Sequence, residues 1–169
     1  MVKRKPLTKF KKWFYEREKV GYCFDTMLIL RAYHISKELE KGLDHFTVFT
    51  GREGIGKSTL AAQFVAWVVP NGFETKDICT TFDNFLQRIK ERYLEANGKY
   101  LKNDRGLILD EGNELLAREA MSKHNVFFQK VFNIQRALRF AIAISIPNFF
   151  MLDTTVRDHR VKTLIHVKA

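Results

Sequence analysis

Cysteine is nearly missing from these 169 residues: Cys23 and Cys79 stand far apart, outside any C-x-x-C pair or Cys/His cluster. That excludes a disulfide framework and a zinc site, and fits a reducing cytoplasm. Long apolar runs are missing as well. The longest, 60–69 and 140–152, fall short of the roughly 20 residues that a spanning helix needs, and no apolar signal-peptide core follows the basic N-terminus. Repeats and low-complexity tracts are also absent. What remains is 46% hydrophobic, enough for the core of one soluble domain and short for two.

Against that plain background stands Gly51-Arg52-Glu53-Gly54-Ile55-Gly56-Lys57-Ser58, which satisfies G-x-x-x-x-G-K-[ST] at every fixed position. An apolar run, His45–Thr50, precedes it, and a helix-like run at 59–69 follows. Glycines at 51, 54 and 56 let the backbone adopt positive φ and turn its N–H groups toward a polyphosphate, where the next helix adds its N-terminus. Residues 51–59, through Thr59, are therefore the expected nucleotide-binding set, with Lys57 on the β- and γ-phosphates and the Ser58 hydroxyl on Mg²⁺. No N-K-x-D motif for reading guanine is visible, so ATP is the expected nucleotide.

A partner motif lies downstream. Gly106-Leu107-Ile108-Leu109-Asp110-Glu111 has the form of a buried parallel strand that delivers acids at its carboxyl edge. Asp110 is expected to hold Mg²⁺, directly or through water, and Glu111 to polarise a water against the γ-phosphate.

Periodicity and turn residues predict a parallel α/β sheet with helices on both faces. A helix at 25–39 is expected to pack at the sheet edge. Then come strand His45–Thr50, helix 57–69, a short extended piece at 77–81, helix 82–96 and the strand before Asp110. Helices at 114–120 and 126–139, strand Ala141–Ile146 and a last strand at 162–167 complete the order. In kinases and GTPases the two motif strands are neighbours, whereas an additional strand separates them in the class that carries a catalytic glutamate. Glu111 favours that second class, as does the polar end of strand Ala141–Ile146, where Asn148, and next to it Ser145, is the candidate γ-phosphate sensor. The alternative for Asn148 is a residue that merely finishes a Pro-Asn turn.

The formal net charge is +10, and much of it is crowded at the start. Within residues 1–20, eight cations (Lys3, Arg4, Lys5, Lys9, Lys11, Lys12, Arg17, Lys19) face two carboxylates, with Phe10, Trp13, Phe14 and Tyr15 interleaved. We read 1–24 as a basic aromatic arm and 25–169 as the ATPase domain with its leading helix. Such an arm suits a DNA backbone; a solvated arm whose aromatics pack on the domain, or contact with an anionic membrane or acidic protein, are the alternatives.

The span from 51 to 167 resembles the ring-forming DNA translocases and packaging ATPases of the HerA/FtsK type, together with the zonular-occludens-toxin-like phage ATPases. The residues that carry the likeness are 51–58, Asp110-Glu111 with Asn113-Glu114-Leu115-Leu116, Ile146-Pro147, and Val156-Arg157-Asp158-His159-Arg160. The resemblance implies a RecA-like P-loop NTPase fold, Mg-dependent ATP hydrolysis, and a homo-oligomer, often hexameric, that moves duplex DNA through a central pore.

A translocase also needs a cation on the transferring phosphoryl group. Arg157 and Arg160 are preferred over Arg136 and Arg139 for delivery into a neighbouring subunit; a surface ion-pair cluster is the alternative. His124 has no second ligand at metal spacing, so a loop or core role is expected. Other functional readings are a phage or membrane assembly ATPase, an ATP-switched loader that recruits its partner through the arm, and a nucleotide kinase, for which the chain offers no lid insertion.

Overall fold

The computed structural model describes residues 6–18, 25–95, 105–110 and 139–168. Among these residues run five parallel strands: β1 (His45–Thr50), β2 (Ile78–Cys79), β3 (Gly106–Leu109), β4 (Ala141–Ile146) and β5 (Thr163–His166), in the spatial order β2-β3-β4-β1-β5. The sheet therefore places β4 between the P-loop strand β1 and the acidic strand β3. The helices are α1 (Pro6–Glu18), α2 (Thr26–Glu40), α3 (Lys57–Val68), α4 (Phe82–Glu95) and α5 (Thr154–His159).

Strand β4, Ala-Ile-Ala-Ile-Ser-Ile, shows how the sequence sorts the two faces. With a period of two, Ile142, Ile144 and Ile146 fall on one face, with Phe46, Val48, Leu107 and Leu109 beside them and Phe82, Phe85 and Ile89 of α4 above. Ala141 and Ala143 fall on the other, under α3 and its Ala61, Phe64, Val65 and Val68. The small side chains let α3 sit close. Gly106 marks the tightest approach, since a Cβ there would lie 2.3 Å from Val65 Cγ1.

Helix α2 begins at Asp25, whose carboxylate accepts from the Met27 N–H at 2.8 Å, and buries Ile29, Ala32, Ile35 and Leu39 at helical spacing against α3. Its Arg31 donates to Thr163 Oγ1 on the edge strand β5 at 2.9 Å. The extended piece expected at 77–81 is shorter than the sequence pattern predicts. Asp77 closes a 3₁₀ turn, Thr75–Asp77, by accepting from the Glu74 N–H, and Thr81 already caps α4 through the Asn84 N–H. Asp77 is fully buried and answered by Arg88 at 2.8 Å and by Arg92, so α4 is pinned to the β2 edge by charge as well as by its apolar face.

The arm contains a helix that is packed on the domain. In α1, Trp13 is only 4% exposed, its indole N–H donating to Ser36 Oγ at 3.1 Å, and its ring meets Tyr33 and Trp67 edge-on. Arg17 stacks over Trp13 and donates to the Trp67 carbonyl at 2.6 Å, a cation on the C-terminal turn of α3. Lys9, Lys11, Lys12 and Tyr15 remain on the exposed side. Cys23, Glu111 and the expected helix at 114–120 lie outside the described residues, as does 126–138; Arg139 itself has φ 57 and is not helical.

Candidate nucleotide-binding site

The loop at 51–58 leaves β1 at the carboxyl edge of the sheet and enters α3 directly. Gly51, Gly54 and Gly56 all have positive φ, of 145°, 73° and 88°. Gly56 is the N-cap of α3 in the left-handed region, so the cap is made by backbone geometry and not by a side chain. The first turn of α3 thus opens toward the loop with its orphan N–H groups, the arrangement that attracts phosphate.

Across that opening, Asp110 follows Leu109, which pairs with Ile144, so Asp110 stands level with Ser145 one residue further on. Its N–H extends the ladder to the Cys79 carbonyl at 2.8 Å, fixing the direction in which the chain leaves β3. Ser58 Oγ donates to Asp110 Oδ1 at 2.5 Å, over 52 residues of sequence. A hydroxyl and a carboxylate oxygen held this close are hard donors of the kind Mg²⁺ takes, and such an ion usually needs only one or two protein ligands beside water and phosphate. The residues fit the ion on that ground. No group of three or more His, Cys, Asp or Glu that could enclose a metal occurs among the described residues.

Lys57 folds back over the loop and donates from Nζ to the Arg52 carbonyl at 2.8 Å. The ammonium is held at the loop by a neutral acceptor that a phosphate oxygen would outcompete. A cleft of about 470 Å³ collects Glu53, Gly54, Gly56, Lys57, Ser58, Thr59, Asp110, Ser145, Ile146 and Pro147.

The two candidate sensors are separated. Ser145, 2% exposed, lines this cleft. Asn148 lines a neighbouring cavity, and its side-chain oxygen accepts the Phe150 N–H at 3.0 Å, capping the 3₁₀ turn Phe149–Met151. Arg157 and Arg160 lie on α5 and at its C-cap, between β4 and β5; Arg157 pairs with Asp158 at 3.0 Å and stacks toward Phe150. Glu111 and Arg136 lie outside the described residues. Two features had no clear signal in the sequence. The hold of Arg17 on the far end of α3 depends on a tertiary approach over 50 residues, and the aromatic cavity beside the loop requires the ends of β4 and β5 to converge.

This is the fold of a P-loop NTPase. Solved structures similar to it include a chain of the HORMA:CdnC:Trip13 complex of E. coli MS115-1, with a TM-score of 0.59 and 16% identity over 91% of this chain, and PCH-2 of C. elegans, with 0.57 and 15% over 96%. The chain spans 65% and 46% of the length of those two proteins. No protein-family model and no curated protein matches the sequence.

Proposed function

We propose that this chain is a Mg-dependent ATPase. The observation that carries the reading is the Ser58–Asp110 contact at 2.5 Å beside a loop with three positive-φ glycines and a helix N-terminus. In this reading, backbone N–H groups of 51–59 and Lys57 hold the triphosphate, and Ser58 with Asp110 holds the ion, which when bound neutralises charge on the β- and γ-phosphates. Glu111, next along the chain, orients the attacking water. Ser145 takes the sensor position beside the γ-phosphate, because it and not Asn148 lines the cleft. The additional strand β4 supports assignment to the catalytic-glutamate class. ATP hydrolysis by the full chain should need Mg²⁺, vanish on chelation, and vanish in Lys57→Ala while folding persists. Turnover by Lys57→Ala at the parental rate would sink the reading.

The work done with that ATP is proposed to be DNA translocation or packaging by an oligomeric ring, of which the HerA/FtsK type is one form. The excess of cations supports a polyanionic partner. The packing of α1 narrows how the arm would engage it: Trp13 is spent on the domain, so Lys9, Lys11 and Lys12 would meet phosphates without base stacking from that ring. Arg157 and Arg160, on the segment between β4 and β5, are proposed to act in a neighbouring site.

A further inference from the structure

Beside the phosphate cleft, and sharing Pro147 with it, lies a second cavity of about 1020 Å³. The P-loop forms one wall through Gly51, Arg52 and Ile55; the ends of β4 and β5 and the residues after them form the rest. Its character differs sharply from the cleft next door. Ile55, Phe149, Phe150, Leu164 and Val167 make it apolar and aromatic, where the cleft presents Lys57, Ser58, Asp110 and Ser145. Phe150 is 75% exposed and Leu164 47% exposed, while neighbouring Phe149 is partly buried against the core. Exposed apolar groups gathered at the mouth of a polar site mark a binding surface for something flat and weakly polar.

We propose that this cavity receives the base and ribose of the nucleotide whose phosphates occupy the adjoining cleft, with Phe150 as the stacking face and Leu164 beneath. The proposal rests on the nucleotide reading of the P-loop. A triphosphate held at Lys57 and Ser58 leaves its nucleoside to lie on one side of the loop or the other, and this side offers a sufficient apolar volume bordered by the loop itself. His166 contributes a polar atom: Nδ1 is engaged with Thr50 Oγ1 at 3.0 Å, which leaves Nε2 for the sugar or the base.

Inorganic tripolyphosphate separates the base from the phosphates. Binding of ATP and of tripolyphosphate to the full chain, both with Mg²⁺, is measured by calorimetry for the parent, Phe150→Ala and Leu164→Ser; both positions are exposed, so folding should be spared. The parent should prefer ATP by about tenfold or more, and each variant should lose about tenfold in ATP affinity while binding tripolyphosphate as the parent does. Variants that bind ATP like the parent, or that lose both ligands equally, overturn the base pocket. A parent that binds neither ligand overturns the phosphate cradle, and this proposal with it.

Discussion

At the scale of single residues, the contacts around Ser58 and Lys57 describe a site whose ligands are satisfied by one another. The Ser58 hydroxyl donates a hydrogen bond to Asp110, and Lys57 donates one to the loop carbonyl of Arg52. Each contact is local enough to be exchanged for a stronger charge-assisted one when phosphate and a divalent ion arrive. The residue after Asp110 is proposed to have a different task. Glu111→Gln keeps the size of the side chain and removes the charge that would draw a proton from water, so Mg·ATP binding should persist while hydrolysis falls by about 10²-fold or more. Equilibrium binding and single-turnover hydrolysis on the same sample check this. Loss of binding in a folded protein would make Glu111 a metal ligand, and unchanged turnover would remove it from the chemistry.

At the scale of elements, a relay of four side chains ties α2, β1 and β5 together at the edge opposite the nucleotide loop. Arg31 donates to Thr163 Oγ1, which leaves the threonine proton for His45 Nε2 at 2.8 Å, and His45 Nδ1–H donates to Glu38 at 2.8 Å. The arrangement is satisfied only by a neutral imidazole. Burial pushes the His45 pKa down to about 4, against the opposing pull of Glu38, with Arg31 and Lys162 adding to the depression. Between that value and the ordinary 6.5 or so, the unfolded chain binds the extra proton, so stability should be full above about pH 6.5 and decline as pH falls toward 4. Denaturant melts at pH 7 and pH 5 should show a loss that shrinks in His45→Gln; an equal loss in both would place the acid sensitivity elsewhere. None of this relay is legible in the sequence, because its members lie up to 132 residues apart and each reads as an ordinary polar residue. What is legible is what repeats or is punctuated: the alternation of Ala and Ile in β4, the glycines of the loop, the Pro147 stop. α1 hid for the opposite reason. Its lysines dominate the composition, while Phe10, Trp13, Phe14 and Arg17, at spacings of three and four, are the stripe that packs.

At the scale of the whole molecule, the packed arm and the proposed phosphate cleft are joined by one helix. α3 presents its N-terminus to the P-loop cleft and its C-terminal turn to Arg17 of α1, so the arm and the proposed nucleotide site stand at opposite ends of a twelve-residue rod. If assembly brings Arg157 into a neighbouring site, Arg157→Ala and Lys57→Ala would each be silent alone, yet a mixture should recover activity at interfaces where an intact loop faces an intact arginine. A mixture as silent as its components would refute action in trans. The same architecture determines how the DNA reading must be tested. Removing the arm would also expose the aromatic face of α2 and α3 and withdraw the Arg17 contact, so any loss of binding would confound charge with folding. Substituting Gln at Lys9, Lys11 and Lys12 removes only exposed charge and leaves Trp13 and Arg17 in place. Duplex affinity should then fall, and the slope of log K against log salt should flatten by about 0.9 for each phosphate that is no longer neutralised, whatever the DNA sequence. An unchanged slope in the triple variant would assign these lysines to solvation, and DNA binding would have to come from other surfaces. If the assembled parent neither binds duplex DNA nor hydrolyses ATP faster in its presence, the translocase reading gives way to the assembly-ATPase or loader alternatives, both of which need the same phosphate cleft and neither of which needs the polymer.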